Sequence, residues 1–400
     1  MDLVRWCSLL VFWFCLAHEG ASGLCFQYHH QAELKHYLHW VSKTYPHITH
    51  LYSIGQSREG RELRVLVIGQ YPKEHRVGIP EVRYIGNMHG NEPVGRELLL
   101  HFIDLLVSQY GKMKTITSLV HNTRIHILPS MNPDGFEMSV PGVCSGVDGR
   151  YNNNGVDLNR NFPDLFSINQ VTREPETLAV MRWTDMETFV LSANLHGGAV
   201  VAAYPYDNNE SGKSRYTKSP DDDVFRYLAS IYSINHRRMF KGNLCQMSFP
   251  GGVVNGASWY TLIGSLQDYG YIWTHCYELT IEVSCCKYPS AEWLQFYWAE
   301  NKKALIQFIT HVHLGVKGRV LDDKQNPIAN TSVLVMGRDD VMPYKTNQLG
   351  EYYKILMPGS YTFRVESPGY VPLMVNIHVK DTSHMYTATI HDFTLHRQIS

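Results

Sequence analysis

The chain has 400 residues, 44% hydrophobic and 18% charged, with 36 basic and 37 acidic side chains. That length exceeds what one hydrophobic core usually serves, so two domains are expected, and the composition excludes a disordered or coiled-coil chain. A formal net charge of -1 leaves no basic field for nucleic acid, so selectivity for a charged ligand must come from a local group.

At the N-terminus Arg5 precedes an apolar run over 6–17, and small residues follow at Ala21, Ser22 and Gly23. This pattern predicts an export signal over 1–23, cleaved near Gly23. No later stretch is long and apolar enough to predict a transmembrane helix. Two of the eight cysteines, Cys7 and Cys15, fall in the signal. Cys25, Cys144, Cys245, Cys276, Cys285 and Cys286 remain, and in an oxidising compartment they favour disulfides over a cysteine-ligated metal. The neighbours Cys285 and Cys286 point to opposite faces of an extended segment and so are expected to reach separate partners. The triplets Asn209-Glu210-Ser211 and Asn330-Thr331-Ser332 make Asn209 and Asn330 candidate glycosylation sites.

From 31 to 314, strand-like and helix-like segments alternate. Runs 65–68, 82–85, 124–128 and 189–191 predict strands. Runs 95–107, 175–187 and 299–312 predict helices, as does a segment running from Asp221-Asp222-Asp223, whose side chains can cap it, toward Tyr232. Such alternation predicts an α/β domain over 24–315 with a mostly parallel or mixed sheet covered on both faces. Past Leu314 come short alternating runs at 316–320, 332–336, 352–356, 361–365 and 375–379. Pro327, Gly350, Pro358-Gly359 and Pro368-Gly369 separate them, predicting a small all-β sandwich over 316–400.

Asn87-Met88-His89-Gly90-Asn91-Glu92 follows a predicted strand and precedes a helix, at the sheet edge where open α/β sheets present their sites. His89 and Glu92 are a metal-ligand pair in type and spacing, because zinc accepts N and O donors and a catalytic site takes three protein ligands. Alone, His-x-x-Glu is a common surface coincidence. Ser192-Ala193-Asn194-Leu195-His196-Gly197-Gly198 adds His196 at the end of a second apolar strand, so two histidines are expected to converge. His101, His121, His126, His236, His275 and His378 read as imidazoles without a role. In Tyr277-Glu278-Leu279-Thr280-Ile281-Glu282, Glu278 and Glu282 share one strand face. Carboxylates inside an apolar strand are costly unless paired, hydrogen-bonded or protonated. They are either solvated acids on a half-exposed strand or include a general base aimed at activated water. Asn159-Arg160, in Asp157-Leu158-Asn159-Arg160-Asn161-Phe162, is either a polar surface loop or a clamp for the free carboxylate that marks a chain end.

Together with Ser53-Ile54-Gly55, Pro72-Lys73-Glu74-His75-Arg76, Pro129-Ser130-Met131-Asn132-Pro133-Asp134-Gly135-Phe136, Ser284-Cys285-Cys286-Lys287-Tyr288-Pro289 and His313-Leu314-Gly315-Val316-Lys317-Gly318, these motifs stand in the order found in one family. The chain resembles the M14 metallocarboxypeptidases, in particular their regulatory (N/E) subfamily, over about 24–392. The resemblance implies a mixed-sheet zinc carboxypeptidase domain followed by a transthyretin-like β-sandwich. It implies one Zn2+ held by His89, Glu92 and His196, with Glu282 rather than Glu278 as general base. It implies Asn159 and Arg160 at the terminal carboxylate, Arg150 on the scissile carbonyl and Tyr260 closing over substrate. Asp207 and Gln267 correspond to the residues that line the pocket for a basic side chain. The implied disulfides are Cys144 with Cys286 and Cys245 with Cys285, leaving Cys25 and Cys276 unassigned. The expected substrates are peptides or proteins ending in Arg or Lys, and the expected state is a monomer.

Two departures from the family stand out. Where a glycine pair is expected, the chain has Gly264-Ser265, and a side chain at Ser265 could narrow the pocket or disturb a positive-φ position. The hydrophobic tail of a lipid-anchor signal is not seen in the final residues His396-Arg397-Gln398-Ile399-Ser400, so a secreted chain is expected. The competing expectations are a catalytically silent binding scaffold and an enzyme selective for apolar C-terminal residues.

Overall fold

A computed structural model describes residues 24–398 apart from Asn169. The predicted export signal, with Cys7 and Cys15, lies outside the described residues. In chain order the first strands are β1 (Thr49–Gln56), β2 (Glu62–Ile68), β3 (Glu81–Gly86), β4 (Arg124–Leu128), β5 (Phe189–His196), β6 (Ala199–Tyr204), β7 (Val253–Asn255) and β8 (Tyr277–Ser284). The α-helices are α1 (Gln31–Thr44), α2 (Val94–Gln109), α3 (Lys114–Asn122), α4 (Pro133–Met138), α5 (Pro175–Met186), α6 (Asp222–Asn235), α7 (Gly256–Trp259), α8 (Leu266–Thr274) and α9 (Leu294–Thr310).

The eight strands form one mixed sheet in the order β1-β2-β4-β3-β5-β8-β6-β7. β4, β3, β5 and β8 run parallel at its centre, with antiparallel pairs at β1/β2, β2/β4 and β6/β8. Helices cover both faces. One core packs α2, α6 and α9 against the sheet through Leu99, Phe102, Phe225 and Phe308. The other packs α5 and α8 through Val180, Trp183, Leu266 and Tyr269. Burial on both faces explains why β3, β4 and β5 are enclosed along their whole length. After β3 the chain places β4 on one side and β5 on the other. The loops leaving β3 and β5 therefore diverge and open a crevice at the carboxyl ends of the strands.

Two expectations change in detail. Asp221 is the N-cap residue of α6, but its carboxylate makes no cap bond. It accepts instead from Tyr271, Tyr277 and Arg338. The last helix starts at Leu294 and is followed by a short 3-10 turn over His311–His313.

The following segment has strands β9 (Val316–Asp322), β10 (Ser332–Val335), β11 (Glu351–Lys354), β12 (Gly359–Glu366), β13 (Leu373–Val379), β14 (Thr389–Ile390) and β15 (Phe393–Leu395). They form a β10-β12-β13 sheet and a β11-β9-β14 sheet, with β15 on β9. Val320, Val333, Tyr352, Phe363 and Phe393 fill the core between them. This sandwich is joined to the α/β domain by polar contacts, most of them to buried acids. His75 lies between Glu81 (2.7 Å) and Glu351 (2.6 Å), and Arg338 meets Asp221 at 2.6 Å and Asp223 at 2.8 Å.

Disulfides join Cys144 to Cys286 and Cys245 to Cys285. The adjacent pair just past β8 thus reaches two distant loops. Cys276 is a free, buried thiol.

Candidate active site

His89 and Glu92 lie in the turn between β3 and α2, and His196 ends β5. Glu92 Oε2 is 2.9 Å from His89 Nδ1 and 3.1 Å from His196 Nδ1, and the two nitrogens are 3.1 Å apart. The opposite ring nitrogens are occupied. His89 Nε2 meets Asp157 Oδ1 at 3.0 Å, and His196 Nε2 meets Asn194 Oδ1 at 2.6 Å. Those acceptors fix the tautomers, so both Nδ1 lone pairs face Glu92 Oε2 across one small gap. Burial lowers His196 to about 4 despite the neighbouring Glu92 carboxylate, which keeps its imidazole neutral and able to ligate. Burial also raises Asp157, but the hydrogen bond from His89 and the charge of Arg150 outweigh it and hold that carboxyl well below its usual range.

Two facing lone pairs and a carboxylate oxygen repel one another unless a cation lies among them. Zinc bonds of about 2.0–2.1 Å in tetrahedral geometry put ligand atoms roughly 3.3 Å apart, so the donor set fits that ion. A second group, Glu81, His126 and Glu187, also has the right atoms. There Arg124 already donates to Glu81 at 2.8 Å and to Glu187 at 2.9 Å, so the carboxylates are neutralised by protein.

The close approach of these loops depends on Gly90, where a Cβ would lie 2.1 Å from the Gly135 carbonyl carbon and 2.4 Å from Gly149 O. That contact keeps the Arg150 loop against the donor turn. Arg150 binds Asp157 Oδ2 through Nε (3.0 Å) and Nη2 (2.9 Å) and reaches toward Glu92 and His89 with Nη1 at 3.3 Å.

The two acids of β8 have different surroundings. Glu278 is fully buried and accepts from Arg83 Nη2 at 3.0 Å and Asn194 Nδ2 at 3.1 Å. Glu282 pairs in register with His196 of β5. Its Oε2 is buried without a hydrogen-bond partner among the described residues. Burial and the charge of Glu92 push Glu282 well above the usual carboxylate range.

Asn159 and Arg160 share a 3-10 turn that begins after Asp157, whose carboxylate accepts the Asn159 N–H at 2.9 Å. Asn159 Oδ1 accepts the Leu266 N–H at 3.0 Å. Both residues line one pocket with His89, Glu92, Arg150, His196, Asp207, Tyr260 and Glu282. Tyr260 stands at its mouth, 40% exposed, with its ring 4.9 Å from that of Trp259. Asp207 is 4% exposed, and burial raises its carboxyl to about 6 against the Ser265 hydrogen bond and the charge of Arg160.

Gln267 differs from the expectation. It is fully buried behind Asp207, donating Nε2–H to Asp207 Oδ1 at 2.8 Å and accepting the Thr280 N–H at 2.8 Å. It holds the acid in place from behind and is not among the residues that line the pocket. Ser265 also resolves differently: its φ is -76°, and its side chain caps α8 by accepting the Asp268 N–H. The left-handed position is the preceding Gly264, at φ +78°. Asn209 is 3% exposed, and its side-chain nitrogen donates to Lys213 O at 3.0 Å. Asn330 is exposed.

Four further residues enter the site that sequence reasoning gave no role. Asp157 and Asn194 orient the histidines, and each lies inside a motif already singled out. Lys287, from the Ser284-Cys285-Cys286-Lys287 motif, pairs with Glu92 Oε1. Asp268 carries no local signal beyond its place after Gln267.

A donor triad that fits zinc, a buried acid without a partner among the described residues and an asparagine–arginine pair share one pocket, which is the arrangement of a metallocarboxypeptidase. This chain belongs to the zinc carboxypeptidase family, whose profile matches residues 34–304. The carboxypeptidase regulatory-like domain profile matches 315–396. The chain is 52% identical to carboxypeptidase M of Mus musculus over 96% of its length and 88% of that protein. It is 44% identical to the carboxypeptidase N catalytic chain of Homo sapiens, over 91% of this chain and 85% of that one. Carboxypeptidase D of Mus musculus is 46% identical over 91% of this chain, which spans only 27% of that longer protein. Among solved structures, the carboxypeptidase A of Helicoverpa armigera shares the fold, with a TM-score of 0.59 and 19% identity over 76% of this chain and 80% of that one.

Proposed function

We propose that this chain is a zinc-dependent carboxypeptidase that releases C-terminal Arg or Lys from extracellular peptides and proteins, acting as a monomer. The observation that carries the basic preference is the buried carboxyl of Asp207 in the same pocket as Asn159, Arg160 and the donor triad. A cationic side chain would neutralise that acid, whereas an apolar one would leave it desolvated and unpaired.

His89, Glu92 and His196 would hold the metal, which when bound supplies Lewis acidity and makes a neighbouring water acidic enough to attack at neutral pH. Asn159 and Arg160 grip the terminal carboxylate through charge-assisted hydrogen bonds and so select a chain end. Glu282 accepts the proton of the attacking water and returns it to the leaving amine; a dication beside it would draw its proton affinity back toward neutral. Arg150, oriented by Asp157, shares the negative charge that develops on the scissile carbonyl oxygen. Tyr260 closes the mouth and limits water.

The test is release of C-terminal Arg, Lys and Leu from matched peptides, with and without zinc, alongside Glu282→Gln. Zinc-dependent release of Arg and Lys well ahead of Leu is expected. Release of Leu first would overturn the basic preference, and no release at all would turn the reading into a binding scaffold.

A further inference from the structure

Asp207 is held from several directions, and the hold on its main chain comes from a second buried acid. Asp268, 2% exposed, lies in the first turn of α8. Both of its carboxyl oxygens accept the Asp207 N–H, each at 2.9 Å, and the Asn208 N–H also donates to it. Asp268 is itself fixed by the Ser265 hydroxyl, which accepts its N–H at 3.1 Å. The Asp207 carbonyl accepts the Leu262 N–H at 3.0 Å. On the side-chain side, Gln267 donates to Oδ1, and Gly256 leaves the space that Oδ1 fills: a Cβ there would lie 1.8 Å away.

The N-cap and first turn of α8 thus grip Asp207 at both ends, through Ser265 and Gln267 at the carboxylate and through Asp268 at the backbone. The same turn presents the Leu266 N–H to Asn159. It therefore sets the spacing between the grip for the terminal carboxylate and the acid for the side chain. A selective pocket needs that spacing, because the two charged groups of a substrate residue are tied by a side chain of limited reach.

We propose that Asp268 is a specificity-positioning residue, which acts as a hydrogen-bond acceptor that fixes the Asp207 main chain and hence the distance between Asp207 and Asn159-Arg160. This rests on the basic-selective reading of the pocket. Asp268 does not face the substrate, and its own charge is not what selects. Burial and the nearby Asp207 raise its carboxyl well above the usual range, against the backbone hydrogen bonds from Asp207 and Asn208.

The experiment compares C-terminal Arg and Leu peptides for the wild type, Asp268→Asn, Asp268→Ala and Asp207→Asn. Inhibition by free arginine and free leucine reads the pocket without turnover. Asp268→Asn keeps an oxygen acceptor and should hold the Arg-to-Leu ratio of kcat/KM within about twofold of the wild type. Asp268→Ala loses the acceptor and should lower that ratio by about tenfold or more, chiefly through KM, with a parallel loss of arginine inhibition. If the Ala variant fails a thermal-unfolding check, Asp268→Ser, too short to reach the amide, replaces it. Equal losses in the Asn and Ala variants would mean that charge, not position, matters and would overturn the proposal. So would an unchanged ratio in the Ala variant, or equal losses on Arg and Leu peptides. A wild type with no Arg preference would overturn the basic-selective reading itself. A wild type whose preference depends on Asp207 but not on Asp268 would overturn this inference alone.

Discussion

His196 and Glu282 are register partners on the adjacent parallel strands β5 and β8, so the sheet itself sets a donor imidazole beside a carboxyl whose Oε2 has no hydrogen-bond partner among the described residues. Four residues earlier on β8, Glu278 is tied to Arg83 and Asn194. The two acids should respond to substitution in opposite ways. Glu282→Gln should lower kcat by about 100-fold or more while leaving thermal unfolding nearly unchanged. Glu278→Gln strips the carboxylate from a buried Arg83 and should cost roughly 3–5 kcal/mol of stability. Turnover and melting measured on the same two variants check both statements.

Asp157 connects the metal seat to Arg150. Asp157→Asn should weaken zinc retention about 10–100-fold, because the ring orientation and basicity of His89 depend on that acceptor. Competition with a chelator, read as zinc content, checks this without relying on activity. In the wild type, removing metal should abolish peptide release, and adding zinc back should restore it.

The basic preference should depend on pH. Burial raises Asp207 to about 6, so its carboxyl is neutral below that pH and charged above it. A neutral acid cannot pair with a guanidinium. The ratio of kcat/KM for Arg over Leu peptides should therefore rise with pH through about 6 and then level off. A bound cation favours the charged form, so at saturating Arg substrate the midpoint should lie lower. Taking the ratio removes the titration of groups common to both reactions. A ratio flat from pH 5 to 8 would count against the role given to Asp207.

His75 joins the two domains. Burial lowers it, but hydrogen bonds to Glu351 and Glu81 prevail and raise it to about 10. Its folded value lies above its ordinary value of 6.5, so its contribution is complete below about 6.5 and disappears as pH rises through about 10. Removing it leaves two buried carboxylates, Glu81 and Glu351, with a lost partner. His75→Gln should destabilise the chain by about 3 kcal/mol at pH 6, and the difference should shrink toward pH 10. Denaturant melts of the two proteins across that range give the test.

The disulfides secure the end of the strand that carries Glu282. Cys144–Cys286 closes a span of 142 residues and Cys245–Cys285 one of 40. Cys286→Ser with Cys144→Ser should cost about 2–5 kcal/mol, as loss of a native disulfide does. Melting under non-reducing conditions checks the value.

By itself the sequence determined the two-part architecture, because hydrophobic periodicity is local: alternating strand and helix runs to Leu314, then short strands broken by Gly and Pro. It also marked His89, Glu92 and His196, since these donor-type side chains sit near strand ends beside glycines that bring backbone close. Shorter or less periodic elements, such as β7 with its three residues and the nine-residue α8, gave no comparable signal. Which of the two β8 acids is left unpaired could not be read from a strand that places both on one face; Arg83 and Asn194, distant in the chain, decide it. The same holds for Gln267, which turns its amide behind Asp207, and for Ser265, which adopts an ordinary φ as a helix cap. Asp268 was hidden for that reason as well. Its role is a hydrogen bond across 61 residues of sequence, and contacts of that range exist only once the sheet has brought their loops together.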